Sequence, residues 1–168
     1  AVDDDLVAVG APGKFLGRGA VYLYRRVGNG WWNYEGTVTA FDAQPGWSFG
    51  TSVDIHDGIL VVGATMSGTG NGSGAVYVFS QITGMWMLEQ KLQAANEEVG
   101  DHLGSSVRMF NGKIASGAPG RDTSGLTNSG AVVIFEEAAG LWIETGTYYG
   151  ETTVILSKIS KKTVTIEA

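Results

Sequence analysis

The residues able to do chemistry are few and scattered. DIHDG, at Asp54 to Gly58, sets two carboxylates around a histidine, the components of a proton-transfer site. AVDDD, at Ala1 to Asp5, gathers three carboxylates, an oxygen-rich set of the kind that hard cations take. His102 follows Asp101 in a turn-like stretch. Neither histidine has a recurring serine or carboxylate partner, so no nucleophilic triad is visible. MSGTGNGSG, at Met66 to Gly74, has glycines but no lysine and no strand-to-helix context, so it is not a phosphate loop. NEEVGD, at Asn96 to Asp101, reads as a solvated connection. The chain is expected not to be an enzyme, and no catalytic residue is assigned.

Binding is the better supported chemistry. Three loops, KFLGRG, MSGTGNGSG and GRDTSGLTNSG, are rich in hydroxyls and amides, which suits hydrogen bonding to a sugar or a peptide. Asp122, Thr123 and Asn128 are the candidate contacts there, against a plainer reading as polar loop filler. Asn71-Gly72-Ser73 fits a glycosylation sequon, which counts only in a eukaryotic secretory pathway. Among the tryptophans, Trp32 lines up with Trp86 and Trp142 and reads as structural. Trp31 and Trp47 have no such counterparts, which makes them the candidate aromatic contacts, with packing as the plainer role.

Composition narrows the class. Hydrophobic residues make up 43% and charged residues only 17%, so the chain is not a disordered one. With 26 glycines in 168 residues it must turn often. The net charge of −6 gives no electrostatic reason to seek nucleic acid or an anionic membrane. The absence of cysteine excludes disulfides and thiolate chemistry. Apolar runs such as ILVV, Ile59 to Val62, are far too short to span a bilayer. No signal peptide opens the chain, which implies that one was removed or that this is a piece of a longer protein.

The elements that carry these residues repeat. Gly-Ala closes an apolar run at Gly10, Gly63 and Gly117; Gly-Ala-Val opens another at Gly19, Gly74 and Gly130; a tryptophan opens a third at Trp32, Trp86 and Trp142. All hold one spacing, as does Phe49-Gly50 against Leu103-Gly104. The central unit reads as four strands: FGTSVDI, ILVVGAT, GAVYVFS and WMLEQKLQA. In the third, Val76 and Val78 face one way and Tyr77 and Phe79 the other. Short connections make neighbouring strands antiparallel, and a head-to-tail repeat of four-stranded sheets is the pattern of a propeller. The fold expected is an all-β propeller of four-stranded antiparallel blades, about three in this chain. The ring stays incomplete unless oligomerisation or a longer parent chain closes it. The units are 1–48, a first blade lacking its first strand; 49–102; 103–150; and 151–168, a terminal hairpin able to complete a blade here or in a neighbour.

FGTSV followed by LVVGA, and LGSSV followed by IASGAP, resemble the FG-GAP repeat, the blade of the integrin alpha-subunit propeller and of many bacterial surface proteins. GAVYVF, Trp86 and QKL, within Gly74 to Leu92, are similar to the bacterial form, and the resemblance covers roughly Asp3 to Ile143. It implies a non-enzymatic recognition or adhesion module, secreted or at the cell surface, with a protein or glycan ligand and no membrane insertion. Self-association is the other expected partnership. An assembly protein joined by blade or strand complementation, and an accessory domain of a secreted hydrolase, are the alternatives. The family often binds calcium through a loop of three or more carboxylates at alternate positions. The corresponding stretches here are AVDDD, DIHDG and RMFNG, short turns lacking that loop, so neither metal nor cofactor is expected.

Overall fold

The computed structural model describes residues 1–28, 30–68, 72–122, 127 and 129–150. These form twelve strands in three antiparallel sheets of four, each built from consecutive strands. The first holds β1 (Val2–Asp3), β2 (Leu6–Ala11), β3 (Ala20–Val27) and β4 (Trp31–Val38). The second holds β5 (Phe49–His56), β6 (Ile59–Ala64), β7 (Ala75–Ile82) and β8 (Met85–Leu92). The third holds β9 (Ser106–Phe110), β10 (Lys113–Ala118), β11 (Ala131–Ala138) and β12 (Leu141–Tyr149). The chain is therefore all-β and blade-built as the repeat requires, and among the described residues the three sheets do not close a ring.

The first sheet differs from expectation at its inner edge. Instead of three strands it has four, because Val2 and Asp3 pair with Val7 and Leu6. A two-residue strand has no periodicity to read. The terminal hairpin expected over 151–168 lies outside the described residues.

Both faces of the central sheet are buried, and the alternation of its third strand shows why. Tyr77 and Phe79 enter one core with Leu6, Ala8, Val21 and Leu23 of the first sheet. Val76 and Val78 enter the other, with Ile114, Val133, Phe135 and Trp142 of the third. Each core is thus a seam between neighbouring sheets, and a period of two serves both seams at once. Glycine permits the close approach. A Cβ on Gly10 would meet the Gly50 carbonyl oxygen at 2.1 Å, and one on Gly63 the Gly104 carbonyl oxygen at 2.0 Å.

A bulge recurs where the third strand of each sheet meets the fourth. Register shifts leave Glu35, Glu89 and Thr145 as the extra residue in β4, β8 and β12. In the first two sheets the bulge aims a carboxylate at the next blade. Glu35 accepts from the Trp86 indole at 3.4 Å and from Gln81 at 3.1 Å, while Arg25 holds it from behind. Glu89 accepts from the Trp142 indole at 3.4 Å, and Gln90 exchanges two hydrogen bonds with the Trp142 backbone. Trp86 and Trp142 are structural here: each pins its blade to the one before.

Candidate functional site

Antiparallel order sends the connections to two opposite ends. The hairpin end carries the tight turns within strand pairs β1–β2, β3–β4 and their repeats. The loop end carries the described residues of the connections between second and third strands, 12–19, 65–68, 72–74, 119–122, 127 and 129–130, together with the interblade connectors 39–48 and 93–105. Backbone hydrogen bonds stitch this loop end together. Gly46 and Ser48 amides donate to Leu16 and Gly17 carbonyls, and Gly100 and His102 amides to Gly72. Such a rim is preorganised, which lowers the ordering cost of binding.

Two clamps fix the connectors. In the first, the Asp42 carboxylate accepts from Lys91 Nζ at 2.7 Å and from the Tyr77 hydroxyl at 2.8 Å. The ammonium of Lys91 also lies 4.9 Å from the Trp47 ring centre. Burial alone would raise the Asp42 carboxyl. The hydrogen bonds from Lys91 and Tyr77, with the charge of Lys91, outweigh it and hold the group below its ordinary value. Tyr77 is pushed well above the usual phenol range, first by burial and then by its carboxylate partner. In the second clamp Asp101 occupies the position of Trp47. It pairs with Arg121 at 3.5 Å and accepts from the Glu98 amide, while Arg121 donates to the Ala95 carbonyl at 2.5 Å. Both charged groups are buried.

The contacts expected from sequence do not converge. Trp47 is half-buried in the first clamp, on the loop end. Asp122 is exposed on the same end; Thr123 and Asn128 lie outside the described residues, as does Asn71 of the sequon. Trp31 is 77% exposed but sits at the hairpin end, opposite Val27. It does have positional counterparts. Met85 and Leu141 take the same place opposite Ile82 and Ala138, and both are exposed.

One feature of the loop end left no signal in the sequence. In the short helical turn α1 (Lys14–Gly17), Phe15 and Leu16 have φ of 54° and 60°. Bulky residues rarely enter this left-handed region, at a cost of about 1–2 kcal/mol each. Both are exposed, Leu16 by 85%. Phe41, in the adjoining connector, is exposed as well. The Trp-x-x-Glu spacing of Trp32–Glu35 and Trp86–Glu89 was, by contrast, open to reading and marks the acceptors of the seam.

The histidines serve packing. His56 lies 5.5 Å from the Phe110 ring and 3.4 Å from the Asp57 carboxylate, and His102 Nδ1 is 3.3 Å from the Thr65 carbonyl oxygen. The carboxylates of the stretches AVDDD and DIHDG already have partners at three positions among the described residues. Asp54 is engaged by Arg108 at 3.0 Å and by the Met109 amide, Asp5 by Arg25, and Asp3 by the Asp57 amide. No group of three histidine, aspartate or glutamate side chains converges among the described residues, whereas calcium takes six to eight oxygens.

The FG-GAP repeat family model matches residues 32–79 and 86–135, together more than half of the chain. Each match runs from the outer strand of one sheet through the third strand of the next, so one sequence repeat straddles a seam. No curated protein matches the chain.

Proposed function

Because the chain belongs to the FG-GAP repeat family, we propose that it is a non-enzymatic recognition or adhesion module, secreted or at the cell surface, that grips a protein or glycan with its loop end. FG-GAP repeat domains are generally non-catalytic and typically extracellular. Among the described residues no helix is long and apolar enough to cross a membrane.

The observation that carries this reading is the exposed pair Phe15 and Leu16, held in left-handed backbone on a loop stitched to its neighbour. Strained, solvent-facing apolar residues contribute nothing to the core, and strain of this kind gathers at ligand clamps. An aromatic ring beside an aliphatic side chain on a fixed loop is the composition of a contact hot spot.

Binding of the full chain to immobilised extracellular glycans and matrix proteins tests it. Substituting both Phe15 and Leu16 by alanine should weaken any binding found at least tenfold, about 1.4 kcal/mol, and leave the melting curve unchanged. Leu16→Gly separates the two effects: relief of strain should stabilise the fold by about 1 kcal/mol while binding still falls. Silence across both ligand classes, or binding indifferent to these changes, refutes the proposal.

A further inference from the structure

The seam between blades is built twice inside the chain, and each half of it appears once more with nothing docked on it among the described residues. On the first sheet, Val9, Tyr22, Tyr24, Trp32 and Tyr34 occupy the rungs that Val62, Tyr77, Phe79, Trp86 and Leu88 occupy on the second. In the second sheet Val62, Tyr77 and Phe79 are buried in the seam. In the first the same face stands open: Trp32 is 42% and Tyr34 59% exposed. The Trp32 indole N–H makes no hydrogen bond among the described residues, although its two counterparts each reach a carboxylate of the preceding blade. The face is rich in tyrosine and tryptophan, the residues enriched at protein interfaces.

The third sheet presents the other half. Val132 and Ile134 stand at the rungs of Val76 and Val78, which lie in the second seam, yet both remain half-exposed. Its bulge residue is Thr145 rather than a glutamate. The carboxylate has moved to the neighbouring strand: Glu136 takes the position of Arg25 and Ser80, and accepts from Thr145 at 3.2 Å and from Lys113. An acceptor for an indole N–H is thus kept beside the bulge, on a different strand.

We infer that a second copy of this chain docks the open face of its first sheet on the third sheet of the first copy, repeating the seam. The interface is head to tail, with Trp32 of one copy facing Glu136 and Ile134 of the other. Head-to-tail contacts either close a ring or run on as a filament. Two copies bring six blades, within the range of about four to eight in which propellers close, so the assembly is a closed dimer carrying both seams. This rests on the seam and not on the loop end, so it stands or falls apart from ligand binding.

Sedimentation of the full chain at micromolar concentration is the test, and the expected mass is twice the 17.6 kDa of one chain. A variant carrying Val9→Glu and Tyr34→Glu should be monomeric, and so should Ile134→Glu, each with the circular dichroism of the parent. Mixed in equal amounts, the two should form a one-to-one dimer through the single intact pair of faces, which also shows that both are folded. A parent chain monomeric at every concentration overturns the inference, the open faces then being covered from elsewhere. An Ile134→Glu variant that still dimerises overturns it in favour of a symmetric contact between first sheets. A parent mass that keeps rising with concentration overturns the closed ring.

Discussion

Gly63→Ala should destabilise the fold measurably, whereas Gly117→Ala, at the same place in the next unit, should scarcely matter. The added methyl at Gly63 lands 2.0 Å from the Gly104 carbonyl oxygen, 2.8 Å from its carbon and 2.4 Å from Ser52 Oγ. Ser52 can rotate, but the carbonyl belongs to the backbone of the next blade. Restoring an ordinary contact distance opens the second seam by more than about 1 Å, and a gap of that size forfeits a quarter to a half of each dispersion contact across it. Overpacking of this kind costs roughly 1–3 kcal/mol and at times more. Alanine returns about 0.4–1 kcal/mol by restricting the unfolded chain. A net loss of about 1–2.5 kcal/mol is a sizeable part of a stability of roughly 5–15 kcal/mol, and it lowers Tm by about 2–10 °C at this size. At Gly117 the tightest contact is Ser106 Oγ at 2.6 Å, with no backbone of another blade nearby among the described residues. Rotation of that hydroxyl leaves the change within about 1 kcal/mol of zero. Thermal and urea unfolding of both variants decides the matter. Equal losses at the two positions, or a Gly63→Ala variant as stable as the parent, would show that the interblade approach does not constrain the glycine.

Two further outcomes follow from the clamps and the inner strands. Asp54→Ala removes the acceptor of the buried Met109 amide and should cost about 2–3 kcal/mol in urea unfolding. Arg108→Ala, whose side chain is 65% exposed, should cost less than about 1 kcal/mol; the reverse order would place the stabilisation in the ion pair instead. Because the Asp42 carboxyl is held below its unfolded value, its contribution is complete above about pH 4 and is lost as pH falls through the folded value. Asp42→Asn should therefore lower Tm at neutral pH and flatten its fall on acidification, and parallel Tm profiles for the two proteins would contradict this.

The blades were legible because their signals are backbone signals. Gly-Ala at Gly10 and Gly63 marks a carbonyl approach that leaves no room for a side chain, and the alternation of Val76 to Phe79 directly encodes two buried faces. What escaped has no such signature. Phe15 and Leu16 adopt a conformation that normally announces itself by glycine or asparagine, so KFLG gives no warning. Trp31 was singled out as unmatched because Met85 and Leu141 share its exposure and its rung but not its identity. Trp47 drew notice as a lone aromatic, but its place in the repeat is that of Asp101; each fastens a connector, one through Lys91 and the other through Arg121.

On the inner strands the chain meets its own echo. Asp54 touches Arg108 and His56 stacks near Phe110, and in each pair the two residues hold the same position in successive units. A tandem of identical units would set aspartate against aspartate at that rung, and one of the two would have to take up a proton or leave. Uniformity, which usually strengthens a repeat array, is therefore penalised at this contact. Divergence between neighbouring units works as an address: the residue one blade carries selects the residue the next must carry, and the order of blades is written into the seam.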